Sequence, residues 1–348
     1  LNLPLISCGF HEYFHGRLTR HDLDQISSTR PIIVIHRSFH EFILNTPAME
    51  LLGINKNAFS SLEADEHLAN FDDGHFSERG AIIVLPKLMQ VFADPTKLMQ
   101  GLQKTREYLH SNGITVIGNP GSMHNQNLQT AKNLIFGGID SPFESYFFPS
   151  ALNLTEQFEL NEILDAAKAQ TSWGAGKLNY LSQHIKLFAD GAMYSQNMVM
   201  RDGYLDNHQG SWLMNLDTFE NLFKIFWDDG YQIHIHQNGD AGLDRLLVTL
   251  EKNLANNPRA DHRTTVVHFG YSAKDQLKKM KELGVIVSAN PYYVTALSDL
   301  YSRKGVGYER SQEMVRLGDA LKAGIKIALH SDMPMAPASP LMLMHAAV

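Results

Sequence analysis

Short runs rich in β-branched and aromatic residues recur along the chain, each bounded by polar or glycine-containing segments. They are PIIVIH (31–36), ITVIG (114–118), ESYFF (144–148), HIKLFAD (184–190), YQIHIH (231–236), TTVVH (264–268), VIVSA (285–289) and IKIALH (325–330). Their length and composition predict buried strands. Between the later runs the apolar positions change to helical spacing, over 216–230, 239–254 and 272–284, two of these stretches closing on a glycine. Strand then helix, repeated, predicts βαβ units and a parallel sheet. The later strands start near 184, 231, 264, 285 and 325, and no GxGxxG follows any early strand. This favours a (β/α)₈ barrel over an open dinucleotide-binding sheet. Residues 37–110 break the rhythm: they read as helical with polar turns such as FDDGHF (71–76), and predict an insertion over one face of the barrel.

The strand HIHQ poses a chemical question. Successive side chains of a strand point to opposite faces, so His234 and His236 share one face while Ile233 and Ile235 share the other. The polar face repeats along the chain, because the C-terminal ends of four predicted strands carry Lys186, His236, His268 and Asp332. In a parallel barrel those ends converge on one mouth, where active sites sit. Imidazoles and a carboxylate are ligands that a borderline divalent cation such as zinc accepts. Each residue also has a plain structural reading: a hydrogen-bonded histidine at a strand end, or Asp332 as a helix cap or turn residue. Lys186 lies between Ile185 and Leu187, and a buried ammonium is unfavourable unless paired. It is either ion-paired with Asp190 or Asp332, or held neutral so that its amine captures carbon dioxide as a carbamate. His330 and, on the loop after the seventh strand, Arg310 are further candidates for contact with substrate. The Met-rich run at 342–345 predicts core packing.

Composition narrows the partners. The chain has 348 residues, 44% hydrophobic and 19% charged, as in an ordinary globular protein. A formal charge of −7 without a Lys/Arg block argues against nucleic acid and anionic membrane surfaces. No run of 18 apolar residues is present. One cysteine, Cys8, excludes an internal disulfide, fits a reducing compartment and supports a cytoplasmic expectation. The chain begins with leucine and ends in the apolar LMLMHAAV, so both ends are expected to continue in a longer protein. Assembly with further copies of itself is left open.

The strings IKLFADGAM, HIHQNGDAG, TTVVHFG and SDMPMAP, together with HEFILNTPAMELLGI (40–54), resemble the metal-dependent amidohydrolase superfamily. Within it they resemble the family 3 branch of formamide-deformylase-like and exoenzyme-regulatory-protein-like members. The resemblance implies a TIM-like barrel with two divalent metals per complete chain, bridged by a carboxylated lysine. By motif position Lys186 is that lysine, His236 and His268 are the ligands from strands five and six, and Asp332 is the strand-eight carboxylate. His40 and Asn45 fall in the branch's substrate loop, and His234 is a pocket residue, not a ligand. Branch members carry an HxH pair on the first strand, whereas the HxH here lies on strand five. The barrel is therefore expected to lack its first strand in this chain, with strands two to eight in 111–348, the insertion in 37–110, and 1–36 as partial barrel or the start of the insertion. The implied activity is hydrolysis of a carbon–nitrogen bond in a small amide-like substrate, with Asp332 as the proton-transferring residue. A regulatory or ligand-binding barrel without turnover, and a mononuclear deaminase, are the alternatives.

Overall fold

The structure, a computed structural model, describes residues 3–62, 68–91 and 94–348. Its first part is a mixed sheet of five strands: β1 (Leu5–Phe10), β2 (Ile32–His36), β3 (Glu41–Leu44), β4 (Ala69–Asn70) and β5 (His75–Ser77), in the order β1-β2-β3-β5-β4. Only β1 and β2 run parallel. The sheet crosses the expected boundary at residue 37, and the stretch expected to be helical supplies three of its strands. The reason is turn chemistry. In FDDGHF the Asp73 N–H donates to Asn70 Oδ1 at 2.9 Å and Gly74 takes φ +64°, so the segment folds as a hairpin joining β4 to β5. Helices Thr46–Leu51, Arg79–Val91 and Pro95–Ser111 make up most of the remainder.

The second part is an arc of parallel strands. β6 (Val116–Ser122), β7 (Glu144–Pro149) and β8 (Leu178–Tyr180) form one sheet. β9 (His184–Phe188), β10 (Gln232–Gln237), β11 (Thr265–His268), β12 (Ile286–Ala289) and β13 (Ile327–Leu329) form another, paired in that order. A parallel bridge from Ser150, just past β7, to Lys186 in β9 joins the two, so β8 and β9 are successive halves of one strand path. All eight strands expected from the sequence are present, seven of them along this arc. The barrel is not closed: among the described residues the outer edges of β6 and β13 have no strand partner.

Helices cover the outer face of the arc. In Leu216–Asp228 the Asn215 side chain caps the first turn by accepting from Thr218 N–H at 2.8 Å, and Phe219, Leu222, Phe223, Phe226 and Trp227 form a buried stripe at helical spacing. They pack with Ile185, Leu187, Ile233 and Ile235 in the main core, each large side chain contributing roughly 1.5–3 kcal/mol by leaving water. With the isoleucines turned outward, Lys186, His234 and His236 face the inside of the arc. The 342–345 run departs from expectation: Met342 and Met344 are 54% and 57% exposed, because helix Pro340–Ala346 buries only Leu343, beside Tyr292 and Ala336. Among the described residues no helix is long and apolar enough to cross a membrane.

The N-terminal unit sits over the mouth of the arc. Ser38 Oγ lies 2.8 Å from Ser195 Oγ, Arg37 Nε donates to Met335 O at 2.9 Å, and Ala192 N–H donates to Glu78 Oε1 at 3.0 Å.

Candidate functional site

Register alone does not bring the expected ligands together. Lys186 pairs with His234, His236 pairs with Val267, and His268 pairs with Gln237. His268 is thus one residue out of phase with His236 and on a straight strand would face the helices. Its backbone takes φ +79° instead, followed by Phe269 at +54°, and the imidazole turns inward to lie 4.5 Å from the His236 ring, centroid to centroid. Asp332 has the same left-handed conformation, φ +58°, and its Oδ2 lies 3.7 Å from His268 Nδ1. Non-glycine residues adopt this region at a penalty of about 1–3 kcal/mol each, and such strain concentrates at functional sites.

Lys186 is buried, its stem so close to Gly121 that a Cβ there would stand 3.3 Å from Lys186 Cγ. Burial brings its ammonium down to about 8, with Asp332 opposing. No carboxylate among the described residues lies within ion-pair distance of it. Asp190, one of its two conceivable partners, is committed elsewhere: it accepts from Val199, Asn238 and Gly239 N–H at 2.9, 3.0 and 2.6 Å. Burial pushes Asp190 up to about 7 against the pull of those three donors. Burial likewise raises Asp332, with Lys186 and then His40 pulling it back.

Burial disfavours the charged form of the three imidazoles His236, His268 and His330. Burial drives His236 and His268 well below the usual histidine range, helped at His236 by His40 and Lys186 and at His268 by His236 and Lys186. His330, held down to about 3 by burial and then Lys186, places Nε2 3.0 Å from His268 Nδ1 and Nδ1 2.8 Å from Ser288 Oγ. It therefore orients His268. His40 stacks on His236 at 5.5 Å, and its Nδ1 lies 2.7 Å from Glu78 Oε2. At His40 burial is outweighed by Glu78, and the ring is raised above the usual value.

The remaining expectations fall away from the mouth. His234 lies one pleat deeper, Nε2 3.0 Å from His184 Nδ1, its ring 4.5 Å from Phe148. Asn45 is fully buried and occupied by the backbone: its Oδ1 accepts from Ile32 and Ala48 N–H, and its Nδ2 donates to Ser27 O and Arg30 O. No hydrogen-bonding group remains on it for a substrate. Arg310 is held by Val306 O and Gly203 O at 2.9 and 2.7 Å. Conversely, Glu78 and Asn238 belong to the site without having been singled out. Asn238 Nδ2 donates to His236 Nε2 at 3.0 Å, and its place two residues after His236 in HIHQNGD was the available signal. Glu78 reaches His40 only through the fold.

By donor type this set fits a divalent cation: two neutral imidazoles, a carboxylate and a desolvated amine. Among the described residues no three His, Cys, Asp or Glu side chains stand together in metal-binding geometry.

The Amidohydrolase family pattern matches residues 13–348. The chain belongs to that family. Among curated proteins this chain is 21% identical to a putative amidohydrolase, YtcJ, of Bacillus subtilis (strain 168), over 95% of its own length and 60% of the relative's. It is 22% identical to an N-substituted formamide deformylase of Arthrobacter pascens, again over 95% and 60%. The chain thus spans about 60% of the length of these two relatives. An uncharacterized metal-dependent hydrolase from Pyrococcus horikoshii shares the fold at TM-score 0.70 and 20% identity, over 100% of this chain and 66% of that one.

Proposed function

We propose that this amidohydrolase carries a metal-dependent hydrolytic site for a carbon–nitrogen bond in a small amide-like molecule. The observation that carries the reading is the left-handed backbone at His268 and Asp332, with the His268 imidazole beside His236 and the Asp332 carboxylate 3.7 Å from His268. Similarity to a relative named as a formamide deformylase supports the bond type.

Lys186, His236, His268 and Asp332 would hold a divalent cation, zinc by the chemistry of the donors. When bound, such an ion lowers the pKa of a water molecule and polarises the scissile carbonyl. Lys186 prepares the set. With its ammonium brought down to about 8, a useful fraction is neutral amine near pH 7. That amine bonds to the carbon of carbon dioxide and releases a proton, and the carbamate formed carries anionic oxygen. A second ion would share that carbamate and would need the first-strand histidines that the family resemblance implies.

Asp332 moves the proton. Its carboxylate takes the proton released by the attacking water and returns it to the departing nitrogen as the carbon–nitrogen bond breaks. Burial raises the Asp332 carboxyl, which favours uptake of that proton, while Lys186 before it forms the carbamate, and then His40, oppose the rise. His40, fixed by Glu78, closes the mouth from the side of the N-terminal unit.

Paired variants test this. Asp332→Asn keeps an oxygen of similar size, so bound zinc, read by elemental analysis after dialysis, should persist. Turnover on a panel of N-substituted formamides and N-acyl amines should fall about 100- to 10,000-fold. Lys186→Ala should lose zinc and turnover together. Near wild-type turnover by Asp332→Asn with its metal intact would refute the proton-transfer role.

A further inference from the structure

Beside the mouth lies a group of donors for which the mechanism above has no use. His11 is 2% exposed and caps helix Glu12–His15, its Nδ1 accepting from Tyr13 N–H at 3.1 Å. Burial, then His36, hold its pKa at about 4, so the ring is neutral at pH 7. With Nδ1 the acceptor, the single ring proton sits on Nε2. Nε2 is buried and has no hydrogen-bond partner. Tyr194 is 3% exposed, and its hydroxyl is likewise buried without a partner. The two rings lie edge to face, 6.3 Å apart. Arg37 completes the group: its guanidinium carbon stands 4.9 Å from the centre of the Tyr194 ring, and only Nε is engaged, on Met335 O. No carboxylate among the described residues forms an ion pair with it.

The group adjoins the reaction centre. The Tyr194 ring is 5.4 Å from Tyr293, which is 6.4 Å from His268, and the Arg37 contact reaches a residue three positions past Asp332. Most buried polar groups in folded proteins are paired, and a donor left dry costs about 1–3 kcal/mol. An unpaired imidazole N–H, an unpaired phenol that can donate or accept, and a guanidinium that lies over the Tyr194 ring without an ion-pair partner together offer an excess of hydrogens and positive charge. The complementary ligand is an acceptor-only anion, and a carboxylate has the size and geometry for guanidinium, imidazole N–H and phenol together.

We infer that His11, Arg37 and Tyr194 form a carboxylate-binding wall of the substrate site, so that the amide cleaved here belongs to a small molecule that also carries a carboxylate. The inference rests on reading the mouth as a substrate site, and it names the class of substrate.

Benzoate and benzamide, alike in shape and different in charge, are suitable probes. Calorimetric titration of the full chain after exhaustive dialysis against a chelator keeps a metal from binding the carboxylate directly. Benzoate should bind at least about tenfold more tightly than benzamide, the difference expected of a hydrogen bond to a charged group. Arg37→Gln and Tyr194→Phe should each weaken benzoate by about tenfold and leave benzamide unchanged, and Arg37→Lys should recover part of the loss. Tyr194→Phe deletes an unpartnered hydroxyl, so its thermal unfolding should match or exceed that of the parent, which separates lost binding from lost folding. Equal binding of the two probes, or benzoate binding indifferent to both variants, overturns the inference. Because the measurement needs neither metal nor turnover, the wall can stand if hydrolysis fails, and fall if hydrolysis holds.

Discussion

Asn45 and Glu41 show how single polar residues in the N-terminal unit serve the fold that covers the mouth. Asn45 ties strand β2, the turn before it and helix Thr46–Leu51 together through four hydrogen bonds. Asn45→Ala leaves buried donors and acceptors unpaired, and should lower stability by about 2–4 kcal/mol in urea unfolding, at unchanged benzoate affinity in the protein that remains folded. Weaker benzoate binding without destabilisation would instead assign Asn45 to the ligand. Glu41 works through charge. Burial acts to raise its carboxyl, but His36 and His75 outweigh it and bring the group from its usual 4.5 to about 2. The native state therefore favours the ionised form. The stability this provides is present above pH ~4.5 and is lost as pH falls towards ~2. Glu41→Gln should cost about 1–3 kcal/mol at pH 7 and flatten the stability profile between those limits. A parent-like acid limb in the variant would show that other carboxylates govern acid unfolding.

At the scale of elements, close packing where β9 meets β10 sets the position of His236. Gly239 follows β10, and a Cβ there would lie 2.0 Å from Val199 O and 2.9 Å from Asp190 Oδ2. Gly239→Ala must displace backbone and should destabilise by about 1–3 kcal/mol, lowering metal uptake with it as the end of β10 shifts. Gly101→Ala is the control: it lies inside helix Pro95–Ser111 with nothing within 4 Å of its added Cβ, and should stabilise by about 0.5–1 kcal/mol. Equal effects from the two would remove packing as the explanation. The strands themselves were readable because burial of an apolar run is a local signal, and His236 was readable because alternation puts it opposite Ile235. His268 was assigned to the mouth by its place at a strand end and then by motif, although strict alternation places it on the other face; the turn in its backbone is invisible in TTVVH. β1 escaped notice because LISCGF is short and four of its six residues are exposed, so its apolar positions Ile6 and Phe10 give only a weak signal. The Glu78–His40 and Arg37–Tyr194 contacts join residues 38 or more positions apart in the chain, and only tertiary structure brings them together.

For the whole molecule, the open arc creates a gradient of stability. β10 and β11 lie in its middle, paired on both sides and covered by helices, and nearly all their residues are buried. β6 and β13 each have one free edge among the described residues, and they show it: Val116 is 59% exposed, and the burial of β6 alternates along its length. An edge strand has backbone N–H groups open to water and can separate from the sheet without breaking the core. Amide hydrogen exchange under native conditions should therefore be slowest in β10 and β11 and faster, by orders of magnitude, in β6 and β13. The candidate ligands divide accordingly, with His236 and His268 on the stable strands and Asp332 just past β13. If the protein takes up zinc as proposed, the ion should slow exchange around 327–332 more than in β10, because a ligand there holds the weaker edge to the stronger centre. Uniform protection across β6, β10 and β13 in the metal-free protein would mean that both edges are paired in solution, by a second copy of the chain or another segment, and the gradient would not exist.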